Sequence, residues 1–128
     1  MRVLKLKAFA RWARKEGLAD QWLRVAVLEM RNGLVDADLG GGVFKKRIAR
    51  PGRGKRGGYR TILAADLRDR WVFLFGFAKS KRDNLDDAEL RDWKRVAKSY
   101  LALSEDMMNR LLDAGEVIEV ENGESTCS

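Results

Sequence analysis

The chain has 128 residues, of which 45% are hydrophobic and 35% are charged, a composition typical of a single soluble globular domain. Its formal net charge is +7, from 26 Lys and Arg against 19 Asp and Glu, which favours a polyanionic partner such as nucleic acid. Histidine is absent and Cys127 is the only cysteine, so we expect neither a zinc site nor an internal disulfide. No apolar run reaches about 20 residues, so we expect no membrane span, and a reducing cytoplasm is the expected compartment.

The charge is divided unevenly along the chain. Residues 1–82 carry 21 basic and 7 acidic side chains, whereas residues 83–128 carry 5 basic and 12 acidic ones. This division predicts that the first part meets nucleic acid and that the acidic part faces elsewhere. The plain alternative is that the charge serves only solubility.

The N-terminal third predicts one strand and two helices. Residues 3–7 are compatible with a short strand, and residues 9, 12, 13 and 16 follow helical spacing until Gly17, which can end that helix. The second helix has the clearest pattern in this third, with apolar residues at intervals of three and four: Ala19, Trp22, Leu23, Ala26, Val27 and Met30. Asn32 and Gly33 end it, and we interpret both tryptophans as core residues.

The middle of the chain predicts an antiparallel meander of three strands. Residues 43–49 form the first strand, with Lys46 on the face of Phe44 and Ile48, and with Lys45 and Arg47 on the other face. Residues 51–58 are rich in glycine and are predicted to be a mobile loop, after which residues 59–65 return as the second strand. Residues 71–78, WVFLFGFA, are almost wholly apolar and predict a buried third strand.

The last third predicts two helices and a tail. Apolar residues from Leu90 to Leu101 describe a long helix, and Ser104 is the expected cap of a last helix that Gly115 closes. Residues 117–120 are compatible with a short edge strand, and residues 122–128 are expected to be disordered. The predicted order is β-α-α-β-β-β-α-α, an α+β fold with helices packed on one sheet face, in a single domain spanning residues 1–121.

The segment from Val43 to Arg60 is the strongest functional signal, because it contains eight basic residues and no acidic one. Arginine and lysine side chains on such a surface hold phosphates, and Tyr59 is a candidate for stacking on a base. We interpret Phe75 and Phe77 as core residues, since burial is the usual fate of phenylalanine in an apolar strand.

The same surface is compatible with RNA cleavage. Attack by the ribose 2′-hydroxyl needs a base, positive charge near the phosphorane and an acid for the 5′-oxygen. Histidine usually supplies the acid and the base, but a lysine among other cations can take its place, and Lys45, Lys46 and Lys55 lie in such a segment. Composition alone leaves a nuclease and a passive RNA binder equally open.

Three stretches, LGGGVFKKRIARPGRGKRGGYRTIL, WVFLFGFAKSKRDNL and GEVIEVEN, resemble the RelE-like toxins of bacterial type II toxin–antitoxin systems, nearest the HigB-type branch. The similarity covers residues 1–121. It implies a small RelE-like α+β toxin that enters the ribosomal A site, cleaves translated mRNA by 2′-hydroxyl attack, needs no metal or other cofactor, and thereby inhibits translation. It also implies three partners, which are a cognate antitoxin, mRNA and the rRNA of the 70S ribosome, with no role for a membrane.

The resemblance assigns candidate roles to individual residues. Lys45 and Arg47 match the paired basic residues of the first meander strand, Arg60 matches the arginine of a G-Y-R motif, and Lys79 matches the basic residue that ends the last meander strand. These four are the candidate catalytic residues. Ser80 departs from the family pattern, in which an arginine thought to act as the acid follows that lysine.

Other cations are candidates for the missing acid or for RNA contacts. Lys81, Arg82, Lys55 or Arg56 could supply the acid. The candidate RNA-binding residues are Lys46, Arg50, Arg53, Lys55, Arg56, Tyr59, Lys81 and Arg82. Lys46 has the alternative of extending along a sheet edge, and Tyr59 that of packing inside the fold. The rival functions are a non-catalytic RNA-binding or ribosome-binding module that uses the same face, and, less well supported, a DNA-binding regulator.

Overall fold

A computed structural model describes residues 1–50, 54–66, 69–82 and 84–121, without the side chains of residues 54–56. Four helices and six strands follow one another along these residues. Their bounds in chain order are β1 (Arg2–Leu6), α1 (Lys7–Glu16), α2 (Asp20–Arg31), β2 (Ala37–Gly40), β3 (Val43–Arg50), β4 (Gly54–Ala65), β5 (Arg70–Ala78), α3 (Asp87–Ala102), α4 (Glu105–Asp113) and β6 (Val117–Glu119). The predicted α+β class is confirmed.

The six strands form one mixed sheet in the order β2-β3-β4-β5-β1-β6. Strands β3, β4 and β5 pair antiparallel, so the predicted meander is confirmed. β1 pairs parallel with β5, and β6 pairs antiparallel with β1. β2, which pairs antiparallel with β3, was not predicted, because four residues that include an aspartate and a glycine show no apolar alternation.

The helices cover both faces of the sheet, so the prediction that they pack on one face is wrong. α1 and α2 share a core cluster with Phe44 and Ile48 on one face. α3 and α4 share a second cluster with Val43 and Ile62 on the other. The physical reason lies in β5, where eight of nine residues are buried, since a strand that is apolar on both sides needs cover on both sides.

The prediction for the glycine-rich segment before Tyr59 is also wrong in part. β4 begins at Gly54, so the loop predicted over residues 51–58 is wrong for residues 54–58, while residues 51–53 lie outside the described part. A Cβ atom built on Gly58 would lie 2.2 Å from the carbonyl oxygen of Ile48. Glycine at this position therefore permits close approach of β4 to β3, whereas the sequence pattern had predicted a loop here.

The last helix begins at the predicted cap, and a buried arginine joins it to the end of α3. The hydroxyl of Ser104 accepts a 3.1 Å hydrogen bond from the backbone N–H of Met107. Arg70, only 7% exposed, donates 2.8 Å hydrogen bonds to the carbonyl oxygens of Tyr100 and Leu103 and pairs with Glu105 at 2.8 Å. These contacts tie the end of α3 and the start of α4 to β5. The predicted tail, residues 122–128, lies outside the described residues.

Candidate active site

Alternation along β3 and β4 brings three candidate catalytic cations to the sheet face that α3 and α4 cover. Val43 and Ile62 belong to the core on that face, and Lys45 is the cross-strand partner of Ile62. Side chains two residues apart on a strand share a face, so Arg47 lies there too. Arg60 is the cross-strand partner of Arg47 and completes the group.

Lys45 lies where β3 approaches the start of α3. Its ammonium group donates a 2.8 Å hydrogen bond to the side-chain oxygen of Asn84. Together with Leu39 and Leu90, both residues line an open depression of about 220 Å³. The partner of Lys45 is thus a neutral amide, and an ammonium group has three protons to donate, which leaves Lys45 capacity for a further acceptor.

Arg47 is the most exposed of the three cations. Its side chain is 48% exposed, and its Nε lies 3.9 Å from a carboxylate oxygen of Asp36. The second oxygen of Asp36 accepts a 2.6 Å hydrogen bond from the backbone N–H of Arg47. Asp36 therefore fixes the backbone of β3 at this residue, while the guanidinium group stays largely in solvent and accessible to an anion.

Arg60 is buried, with only 3% of the residue exposed. One guanidinium nitrogen lies 3.5 Å from the carbonyl oxygen of Tyr59, and Arg60 makes further interactions. Its cross-strand partner on β5 is Phe77. The cation that the G-Y-R motif pointed to therefore lies beneath the surface, where a fixed positive charge acts across a short distance of low dielectric.

The end of β5 supplies the remaining cations of this region. Lys79 is exposed, and its backbone N–H donates a 3.1 Å hydrogen bond to the carbonyl oxygen of Gly58, which extends the pairing of β4 and β5 by one residue. Ser80 and Lys81 are also exposed. These side chains emerge at the end of the buried strand, as the sequence predicted.

Arg82 is held by contacts that the sequence analysis did not foresee. Its guanidinium group lies 5.3 Å from the ring centroid of Phe77 and 6.0 Å from that of Phe75. It forms an ion pair with Glu89 and donates a 3.0 Å hydrogen bond to the carbonyl oxygen of Asn84. The hydrogen bond between the two charged groups raises the pKa of Arg82 and lowers that of Glu89.

Glu89 also belongs to a capping box at the start of α3. The side chain of Asp86 accepts a 2.8 Å hydrogen bond from the backbone N–H of Glu89, and the side chain of Glu89 accepts a 3.1 Å hydrogen bond from the backbone N–H of Asp86. The D-x-x-E spacing was the available signal for this cap. The sequence spacing could not show that Glu89 also immobilises Arg82, because that contact depends on the tertiary fold.

Lys46 and Tyr59 lie on the opposite face, under α1 and α2. Lys46 is 2% exposed, and its ammonium group lies 2.9 Å from a carboxylate oxygen of Glu29 and 2.9 Å from the carbonyl oxygen of Leu34. Tyr59 is 1% exposed and donates a 3.0 Å hydrogen bond to the carbonyl oxygen of Glu16. Both arrangements favour a structural role over RNA contact, and we leave both residues out of the candidate site.

The other candidates are only partly described. Arg50 is partly exposed at the end of β3, where it is paired with Gly54. Arg53 lies outside the described residues, and so do the side chains of Lys55 and Arg56, although their backbones belong to β4. We call Lys45, Arg47, Arg60 and Lys79, together with their described surroundings, the cationic face.

Within the described residues, the structure contains neither a candidate metal site nor a helix suited to crossing a membrane. No group of three or more His, Cys, Asp or Glu side chains in the described residues is arranged to hold a metal ion. None of the helices over the same ranges has the length and apolar character that crossing a membrane requires.

The fold and the cationic face together define the class of protein: small, basic α+β proteins with clustered cations on a mixed sheet. The chain belongs to the RelE family: the family model described as the RelE toxin of the RelE/RelB toxin–antitoxin system matches residues 1–120. The protein is therefore the toxin of a toxin–antitoxin system, from a family of toxins that are generally translation-inhibiting endoribonucleases and that have a cognate antitoxin. A comparison with curated proteins found no match.

The family match confirms the resemblance to RelE-like toxins that the sequence showed. The match does not distinguish the branches of the family, so the assignment to the HigB-type branch stays a prediction.

Proposed function

We propose that this toxin is a ribosome-dependent mRNA endoribonuclease that acts in the A site by metal-independent 2′-hydroxyl attack. Residues 1–121 would form the toxin domain, and the protein would act in the cytoplasm. The observation that carries the proposal is the gathering of Lys45, Arg47 and Arg60 on one sheet face, with Lys79 at the end of the neighbouring strand. A face of this kind suits a phosphate whose charge grows during the reaction.

The strand register gives the four cations a specific layout. Arg47, Arg60 and Phe77 form a row across three strands, with neighbouring strands about 4.8 Å apart. Lys45 comes two residues before Arg47, and Lys79 two residues after Phe77, each about 7 Å along its strand. Because β3 and β5 run in the same direction, the two lysines lie on opposite sides of Arg60, with their Cα atoms about 17 Å apart.

This layout matches the requirements of in-line displacement. The attacking 2′-oxygen and the departing 5′-oxygen lie on opposite sides of the phosphorus atom, and a long lysine side chain can reach toward each from its own side. Arg47 then contacts the non-bridging oxygens directly, while the buried charge of Arg60 stabilises them from below. We therefore propose Lys45 and Lys79 as the pair that exchanges protons.

Arg82 is a poor candidate for the acid that Ser80 cannot supply. The ion pair with Glu89 raises the pKa of Arg82, so its guanidinium group holds its proton more tightly than an isolated one. Its aromatic and carboxylate contacts also hold it in one position. We assign Arg82 to shaping the edge of the cationic face, and Lys79 or its exposed neighbour Lys81 to proton donation.

Dependence on the ribosome follows from the weakness of this catalytic set. The chain has no histidine, and lysine and arginine are strong bases that are poorly matched to proton transfer at neutral pH. When a substrate is held in a reactive geometry, orientation alone raises the reaction rate by many orders of magnitude. A ribosome that presents the mRNA backbone to the cationic face would supply that orientation.

The burial of Arg60 favours one alternative function. A guanidinium group that is 3% exposed cannot touch a phosphate without movement, so the same face could bind RNA or the ribosome without cutting it. This non-catalytic module would inhibit translation by occupancy. It predicts binding that weakens steeply with salt and no new RNA ends.

The test is induction of the toxin in a bacterial host, followed by mapping of 5′ ends on translated and untranslated copies of one message. Cuts confined to the translated copy would support the proposal, and cuts on both copies would refute the role of the ribosome. Absence of cuts with folded protein present would favour the binding module. Lys45→Gln and Lys79→Gln should each reduce cleavage by roughly 100-fold or more, whereas Arg11→Gln, on the exposed side of α1, should not.

A further inference from the structure

Lys45 is fixed at its backbone, but its reactive group lies at the end of a long side chain. Its Cα atom is paired with Ala37 on β2 and with Ile62 on β4, so the sheet holds the backbone from both sides. A flexible four-carbon stem separates this backbone from the ammonium group, and a free lysine side chain samples many rotamers. A catalytic lysine therefore gains from a contact that selects one rotamer before the substrate arrives.

Asn84 supplies such a contact. Its side-chain oxygen accepts a 2.8 Å hydrogen bond from the ammonium group of Lys45, although the two residues are 39 positions apart in the chain. Within the described ranges, no Asp or Glu carboxylate lies within 4.0 Å of the Lys45 ammonium group. The amide oxygen thus orients the ammonium group without neutralising its charge.

Arg82 holds the backbone of Asn84. Two nitrogens of its guanidinium group donate hydrogen bonds of 3.3 and 3.0 Å to the backbone carbonyl oxygen of Asn84. The same guanidinium group pairs with Glu89 and lies over the rings of Phe77 and Phe75. Arg82 is therefore anchored to α3 and to β5 at once, and it passes this restraint on to Asn84.

The chain that follows Asn84 is held as well. Leu85 and Leu90 pack against the core cluster on this sheet face. The side chain of Asp86 caps α3 by accepting a hydrogen bond from the backbone N–H of Glu89. Contacts before and after Asn84 thus fix its backbone, and an asparagine side chain has only two rotatable bonds through which its amide could turn away.

The contact between Lys45 and Asn84 borders an open depression of about 220 Å³ with apolar walls. Both residues line it, and the remaining lining consists of Leu39, Ile62, Leu85 and Leu90. RNA lying on the cationic face would cover the contact from the solvent side. A hydrogen bond becomes stronger as the local dielectric falls, so this one should be strongest when the substrate is bound.

We propose that Asn84 is the positioning residue for Lys45 and that Arg82 and Glu89 hold it in place. The inference rests on the proposed function, in which Lys45 exchanges a proton with the substrate. An N–H group remains available to Asn84 whether the amine of Lys45 is protonated or neutral, so the contact persists through the exchange. Asn84 does not touch the reacting atoms. The start of α3 thereby becomes part of the catalytic apparatus without supplying a catalytic side chain.

The test is a double-mutant cycle between Asn84→Ala and Lys45→Met. Cleavage of mRNA on purified ribosomes is followed with the toxin in excess, over a series of toxin concentrations. This series separates the maximum rate from the concentration that gives half of that rate. Asn109→Ala is the matched control, because the side-chain oxygen of Asn109 also accepts a hydrogen bond from a cation, Arg2, but on exposed α4. Circular dichroism and thermal unfolding establish that each variant is folded.

We expect Asn84→Ala to lower the maximum rate roughly 10-fold, because the lysine must then lose its rotamer freedom during the reaction. The half-saturating concentration should not change. In the Lys45→Met protein the same substitution should have no effect, since no ammonium group is left to position. Asn84→Gln, which keeps an amide oxygen, should recover part of the rate.

Arg82→Gln tests the support of Asn84. It should cause a smaller loss of maximum rate than Asn84→Ala, and this loss should also vanish in the Lys45→Met protein. A loss of equal size in both backgrounds would show that Arg82 acts independently of Lys45. The control Asn109→Ala should cleave at the wild-type rate.

The other outcomes would overturn the inference in distinguishable ways. Equal slowing by Asn84→Ala in the wild type and in Lys45→Met would show that Asn84 does not act through Lys45. A raised half-saturating concentration at an unchanged maximum rate would make Asn84 an RNA contact, and faster cleavage would make it a restraint on Lys45. All three leave the proposed function standing. Wild-type cleavage by Lys45→Met would refute the role of Lys45, and a wild-type toxin that cuts no translated mRNA would refute the proposed function itself.

Discussion

Two adjacent lysines should behave in opposite ways when their charge is removed. Lys46→Met keeps an unbranched buried side chain but removes an ammonium group that lies 2.9 Å from both Glu29 and the carbonyl oxygen of Leu34. Hydrogen bonds to a charged group each contribute about 1.5–3 kcal/mol. Because Glu29 is 29% exposed and can be rehydrated, and because methionine fills the site, we expect a net loss of about 2 kcal/mol.

The loss should be visible in thermal unfolding. For a chain of 128 residues, 1 kcal/mol corresponds to about 4 °C, so Lys46→Met should lower Tm by about 8 °C. Lys45→Met removes a side chain whose hydrogen-bond partner is a neutral amide, and it should change stability by less than about 0.5 kcal/mol. RNA binding should respond in the reverse order, with a salt slope reduced by about 0.7 for Lys45→Met and unchanged for Lys46→Met.

The assay combines urea unfolding with RNA binding, measured at a temperature where both variants are folded. Adding Glu29→Met to Lys46→Met should cost less stability than Glu29→Met costs in the wild type, because the two side chains interact and their effects are not additive. An Lys46→Met protein that is as stable as the wild type but binds RNA with a reduced slope would refute the structural role of Lys46.

Two further predictions concern the scaffold. A Cβ atom on Gly76 would lie 2.2 Å from the ring of Trp12, so Gly76→Ala should cost about 3 kcal/mol in urea unfolding, and a change below about 0.5 kcal/mol would contradict this packing. The hydrogen bond from Arg70 lowers the pKa of Glu105 in the fold. Stability from Glu105 is therefore fully present above its unfolded pKa of about 4.3 and is lost as the pH falls through the lower folded pKa. Glu105→Gln should flatten the acid side of the stability profile, and an unchanged profile would count against this linkage.

Local patterns in the sequence were sufficient for most elements. The helical spacing ending at Gly17, the apolar run of β5 and the cap at Ser104 all report interactions within a few residues, and the structure has a helix end, a strand and a helix start at these places. The periodicity of α2 was also correct, but one residue in it was misjudged. Trp22 fits the apolar pattern and is nevertheless 40% exposed, because periodicity cannot say where the neighbouring elements stop.

The candidate site was predictable in part. The period of two along β3 put Lys45 and Arg47 on one face and Lys46 on the other, and the register of the strands bears this out. The sequence could not say that α2 would bring Glu29 to Lys46. That contact joins residues 17 positions apart through a helix, and it turns an apparent RNA-binding cation into an internal one.

The basic character of the chain, its α+β class, the alternation of charge on β3 and its membership of the RelE family can all be read from the order of its amino acids. The accessibility of each cation, in contrast, depends on the folded arrangement. Strand pairing placed Arg60 beside Arg47, and the covering of both sheet faces buried Lys46. The physical reason is that composition and periodicity are local quantities, whereas burial and ion pairing depend on which distant segments the fold brings together.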